Sequence, residues 1–96
     1  SPHKIFGPES NDVTLQLRKQ KVDQILLAGM AANLCVESHL REFIEQGFEV
    51  TVVKDATAGP KLPEGDGYLA ALVNYRLVAN DLWPTDEVVR QLGQKV

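Results

Sequence analysis

Chemistry in this chain has a narrow choice of groups, because the sequence holds a single cysteine, Cys35. It follows Gly29 by six residues, where an apolar segment gives way to a helical pattern. The first turn of a helix presents free backbone N–H groups and the positive end of the macrodipole, and both favour a thiolate. If the apolar segment is a strand of a parallel sheet, the junction also lies at its carboxyl end, where such sheets bind ligands. The link Met30–Leu34, which includes Asn33, offers backbone N–H donors able to stabilise a developing oxyanion. A free cysteine serves equally as a small buried hydrophobe, so spacing leaves two readings open, nucleophile and packing.

His39 stands one helical turn after Cys35. It can bond the thiol or a substrate, or lie on the helix surface or in a subunit contact. Asp55 closes a second apolar segment. It is read as structural, accepting backbone N–H groups to shape the loop that follows, with substrate contact at the strand end as the alternative. His3 reads as a loop residue, and two histidines with one cysteine do not make a zinc site. Tyr68 and Trp83 read as packing or interface residues.

The elements that must position these groups follow from the pattern. Residues 1–12 carry two prolines and a glycine and read as loop. Ser10 or Asp12 caps a short helix through Lys19, with Val13, Leu15 and Leu17 inward. Val22–Gly29 ends in a continuous apolar run, the mark of a strand buried on both faces. Leu34–Gln46 places Val36, Leu40, Phe43 and Ile44 at helical spacing and closes at Gly47. Glu49–Lys54 is a second buried strand, and residues 56–67, with two prolines and three glycines, form a long functional loop. Tyr68–Ala79 is apolar nearly all round and wants cover on more than one side. Asp81–Trp83 is a brief strand, and Thr85 caps a last helix with Val88, Val89 and Leu92 inward.

This alternation predicts right-handed βαβ units and a parallel sheet. Two or three strands make a thin sheet whose helices leave apolar faces uncovered. The expectation is part of an α/β domain, completed by more chain or by another copy.

Composition bounds the function. Ninety-six residues make one small domain at most, 44% hydrophobic and 24% charged. Ten Lys+Arg against thirteen Asp+Glu leave a net charge of −3, which argues against nucleic acid as a partner. No apolar run approaches the roughly 20 residues that cross a bilayer. No leader peptide is expected, and one cysteine suits a reducing, cytoplasmic setting.

The segment GMAANLCVESHLREFIEQGFEVTVVKDATAG resembles the core signature of the isochorismatase-like cysteine hydrolases, a group that includes nicotinamidases. Its elements are the strand Ile25–Gly29, the link Met30–Leu34, Cys35-Val36, a helix to Gln46, Gly47-Phe48, the strand Val50–Val53 and Asp55-Ala56. The likeness runs from about residue 4 to residue 80. It implies a three-layer parallel sheet flanked by helices, with residues 1–96 forming its C-terminal portion and the sheet incomplete on the N-terminal side. It implies a hydrolase that cleaves a small-molecule amide or related bond through a thioester on Cys35. By the same likeness Lys4, 31 residues ahead, is the catalytic lysine, and the backbone N–H groups of Ala31 and Cys35 form the oxyanion hole. The family's cis peptide falls between Met30 and Ala31, and Asn33, His39 and Asp55 are possible pocket residues. No cofactor or metal is implied for this chain.

Two departures stand out. The family's general-base aspartate belongs to a first strand that this sequence does not contain, and the family's Thr-Ala pair on the nucleophile helix is here His39-Leu40. The alternatives are therefore a truncated, inactive protein that self-associates, with domain swapping as one route, or a small-molecule binding module of the same fold. The expected partners are a small-molecule substrate and further copies of the chain, without nucleic acid or membrane.

Overall fold

A computed structural model describes residues 7–8 and 11–94. The order is α1 (Val13–Lys19), β1 (Gln24–Met30), a π-helical turn (Ala32–Val36), α2 (Glu37–Glu45) and β2 (Glu49–Ala58). A two-stranded hairpin of β3 (Lys61–Leu62) and β4 (Gly65–Asp66) follows, then α3 (Gly67–Val78), β5 (Asp81–Trp83) and α4 (Thr85–Gln94). The main sheet has the order β1-β2-β5 and is parallel throughout, as the alternating pattern predicts.

Side chains alternate across a strand, so β2 divides the core. Val50 and Val52 face α2 and α3 and are fully buried with Ala32, Val36, Leu40, Phe43, Phe48, Ala71 and Tyr75. Ile25 and Leu27 of β1 and Leu82 of β5 pack on the same cluster. Phe43 and Phe48 meet edge to face at 5.6 Å, and the Arg18 guanidinium of α1 lies 3.9 Å from the centre of the Phe48 ring. α2 ends at Gly47, whose φ of 92° suits a residue without a Cβ.

The opposite face is less covered. Val53 of β2 and Val88 of α4 are buried there, outside the main cluster. Around them an open groove of about 280 Å³ is lined by Leu26, Thr51, Trp83, Val88 and Leu92.

Several expectations are corrected. β1 is not buried on both faces: Leu26 is 46% exposed and Met30 76%, because β1 is an edge strand and no described helix covers its outer side. Val89 and Leu92 are exposed for a related reason, since α4 meets the sheet along the single line of Val88. Leu15 is exposed as well, leaving Val13 and Leu17 as the inward residues of α1. That helix is capped by neither expected residue. Val13 N–H donates to Asn11 Oδ1 at 2.9 Å, while Asp12 makes no cap bond and Ser10 lies outside the described residues.

The helix expected from Leu34 begins earlier, as a π turn at Ala32. Ala32 and Val36 keep a four-residue apolar spacing, so periodicity alone does not separate the wider turn from an α-helix. β2 runs on to Ala58 and a small hairpin follows, so the expected long loop is largely structured. The β1–β2 register shifts on the way: Leu27 pairs with Val52, but Gly29 pairs with Thr57. Val53–Ala56 have no partner in β1 there, although Val53 still pairs with Trp83 of β5, and Asp55 lies in this irregular stretch.

Candidate functional site

The site is built at the carboxyl end of β1. Strand geometry ends at Met30, the Met30–Ala31 peptide bond is cis, and the chain then enters the π turn that carries Cys35. The Ala31 carbonyl accepts from the N–H groups of both Leu34 and Val36, at 3.0 and 3.2 Å, which winds the link into a tight, wide-bore turn. Cys35 is partly exposed. It opens on a shallow cleft of about 210 Å³, lined by Ala28, Gly29, Met30, Val36 and His39 besides the cysteine.

The turn is held from below by α3. The Tyr75 hydroxyl donates to the Ala32 carbonyl, and both residues are fully buried. Burial, and to a lesser degree the charge of Glu37 and the neighbouring Tyr68, push the Tyr75 phenol above its ordinary range, so it stays a neutral donor. Asn74 Nδ2 donates to both carboxylate oxygens of Glu37 at 3.3 Å, tying α3 to the first turn of α2. α3 is in turn anchored at its start, where Asp66 Oδ1 accepts from the N–H groups of Tyr68 and Leu69. The Tyr68 hydroxyl donates to the Lys54 carbonyl at 2.8 Å. Sequence reasoning missed Tyr75, Asn74 and Glu37. The polar atoms of Asn74 and Tyr75 in an otherwise apolar helix are the signal that such partners exist.

Of the residues singled out in the sequence, the fold brings Cys35, His39 and Met30 into one cleft. His39 Nδ1–H donates to the Cys35 carbonyl at 2.7 Å, a bond that a carbonyl can only accept. The ring also packs on Phe43, centroids 6.0 Å apart. Asn33 turns elsewhere: a Cβ on Gly67 would come within 2.7 Å of its Nδ2 and 2.8 Å of the Pro60 carbonyl. Glycine at 67 is thus required by the close approach of the start of α3 to Asn33 and the Pro60 carbonyl. The Asn33 Oδ1 is buried without a hydrogen-bond partner among the described residues.

Asp55 is also away from the cleft. Its Oδ1 accepts from the N–H and hydroxyl of Thr85, at 2.8 and 2.6 Å, and so anchors the start of α4. The Thr85 hydroxyl holds the exposed Asp55 carboxyl below its usual range, helped by the Thr85 N–H. Asp55 is therefore structural, but it fastens a helix 30 residues on rather than the loop next to it. Thr85, expected to cap α4 with its own oxygen, gives its hydroxyl to Asp55. Lys4 and His3 lie outside the described residues. Among the described residues no three His, Cys, Asp or Glu side chains come together as a metal site. No described helix is long and apolar enough to cross a membrane.

Residues 3–87 match the family model described as the isochorismatase domain. A curated relative, the uncharacterized isochorismatase family protein YwoC of Bacillus subtilis, is 42% identical over 52 residues, which are 54% of this chain and 26% of the relative. Among solved structures, a cysteine hydrolase from Pseudomonas syringae superposes with a TM-score of 0.82 at 22% identity, over 88% of this chain and 44% of that one. The nicotinamidase of Bacillus subtilis does so with a TM-score of 0.64 at 26% identity, over 74% and 39%. The chain thus spans less than half the length of these solved structures, and its match covers about a quarter of the curated relative.

Proposed function

The chain belongs to the isochorismatase family, and from that premise we propose that it carries the nucleophile portion of a cysteine hydrolase cleaving a small-molecule amide or related bond. The observation that supports this reading best is the placement of Cys35. It lies partly exposed in a cleft at the carboxyl end of a parallel strand, on a π turn pinned from below by Tyr75. In this reading the Cys35 thiolate attacks the substrate carbonyl carbon. The oxyanion takes hydrogen bonds from the backbone N–H groups of Ala31 and Cys35, the carbon–nitrogen bond breaks, and the amine leaves with a proton drawn from solvent, which the later attack of water gives back. Water then hydrolyses the thioester and returns the thiolate. Lys4 is the cation that keeps the thiolate charged, and a reducing compartment such as the cytoplasm keeps it unoxidised.

The test is alkylation of the folded chain by iodoacetamide at neutral pH. Cys35 should react faster than the cysteine of an unstructured peptide, and Cys35→Ser should take up no label. A thiol that is inert in the folded chain but reacts in urea would overturn the reading.

A second reading is supported by a different feature. Leu69, Val73 and Leu77 stand exposed at four-residue spacing along α3, with Leu77 81% exposed. Together with the open groove beneath α4 they are the surfaces that a second copy of the chain would cover. In that case the protein is a homo-oligomer, and its mass by light scattering should fall to that of the monomer in Leu77→Lys. A wild-type monomer at all concentrations would exclude this reading.

A further inference from the structure

The twelve residues of α3 carry one charge, Arg76, and the helix has two unlike sides. Ala71 and Tyr75 face the core and are fully buried, whereas Leu69, Ala70, Val73, Arg76 and Leu77 face outward and are exposed. At about 100° per residue those five occupy a stripe roughly 120° wide whose midline runs through Val73. Leu69, Val73 and Leu77 are 59%, 60% and 81% exposed, a patch of roughly 300 Å² of apolar surface, the size at which such a patch marks an interface. A strand added beside the open edge of β1 would not cover it, because β1 and β5 are opposite edges of the main sheet and α3 packs on β2 and β5.

The stripe is symmetric about Val73. Leu69 and Leu77 lie four residues to either side of it, and Ala70 and Arg76 lie three. Turned end for end, the stripe therefore meets itself. Val73 faces Val73 of a second copy, Leu69 faces Leu77, and the long Arg76 crosses the smallest residue of the stripe, Ala70. The same arrangement keeps the two Arg76 side chains about 9 Å apart along the helix axes. We propose that α3 is a homodimer seam, in which two copies pack antiparallel about a two-fold axis at Val73. The proposal rests on the reading of the chain as a homo-oligomer, and it assigns that contact to α3 rather than to the groove beneath α4. A standard interface buries about 800 Å² per partner, and the apolar stripe supplies less than half of this, so the pair is a weak one that fills as concentration rises.

Cysteine cross-linking of the full chain tests the axis. Helices packed about 8–10 Å apart bring facing Cα atoms on a two-fold axis to about 4–6 Å, which is disulfide range. In a Cys35→Ser background, Val73→Cys should oxidise to a covalent dimer roughly 10-fold faster than Val89→Cys, an exposed position on α4. Leu69→Cys mixed with Leu77→Cys should give chiefly the mixed dimer, because each faces the other across the seam. Leu77→Lys added to Val73→Cys should bring its rate down to that of Val89→Cys, and circular dichroism checks that every variant folds. Oxidation of Val73→Cys no faster than that of Val89→Cys overturns the seam. If light scattering still gives the mass of a dimer or larger, the oligomer reading stands on another surface. A monomer at every concentration overturns both.

Discussion

The two faces of the sheet are built from the same strands and differ in what meets them. On one, Val50 and Val52 of β2 are sealed by α2 and α3, and that packing extends through Ala32 and Tyr75 into the turn carrying Cys35. On the other, α4 touches the sheet through Val88, and Leu26, Val89 and Leu92 stay exposed around an open groove. The turn that carries Cys35 thus draws its order from the finished face. The open groove and the Cys35 cleft share no lining residue, although Ala28 and Met30 on the uncovered side of β1 line that cleft.

The largest effect expected from this contrast is in stability. Leu40→Ala on the sealed face should cost about 2–5 kcal/mol in urea denaturation, whereas Val89→Ala on the open face should change it by no more than about 0.5 kcal/mol. Equal costs would break the contrast and mean that something covers the open face in solution.

A smaller effect sharpens the link between the sealed face and the site. Tyr75→Phe keeps the ring but leaves the buried Ala32 carbonyl short of a donor, at a cost of about 1–3 kcal/mol. Amide exchange across Ala32–Val36 should accelerate more than exchange in α4. Uniform acceleration along the chain would show that Tyr75 supports the core and not the turn in particular.

The smallest effect concerns the open face. Asp55 titrates lower in the folded chain than its ordinary 3.8, so its contribution is complete above that value and is lost as pH falls through the lower, folded one. Exchange in α4, corrected for intrinsic rates, should therefore rise relative to α2 below about pH 3.8. Asp55→Asn should show the raised α4 exchange already at neutral pH. An α4 protected alike in both proteins would mean that the Asp55–Thr85 contact does not hold the helix.

Much of the site was legible because its signals are local. The apolar run ending at Gly29, the small-residue link, Cys35 and the helical spacing to Ile44 are consecutive, and each is a short-range constraint on the backbone. His39 was legible as a neighbour of Cys35 for the same reason, since four residues is one helical turn. The bond that orients its ring toward the Cys35 carbonyl was not, because it depends on a side-chain rotamer. Asp55 was misjudged in its target. The acceptor was evident, but the donor, Thr85, opens a helix 30 residues later, a long-range contact that leaves no local mark.

By itself the sequence determined the order of the main-sheet strands and the α-helices, though not the π turn or the β3–β4 hairpin, the parallel character of the sheet and the place of the lone thiol between a strand and a helix. These follow from periodicity, β-branching and glycine positions, which act over a few residues. Tertiary structure alone decided which apolar residues are covered. Leu27 and Leu26 are equally apolar and adjacent, yet one joins the core and the other faces an open groove, because burial depends on what packs above a strand and not on the strand's own residues. It also decided that Tyr75, 43 residues from Ala32, holds the turn that carries Cys35, since a hydrogen bond between distant segments leaves no mark in local pattern.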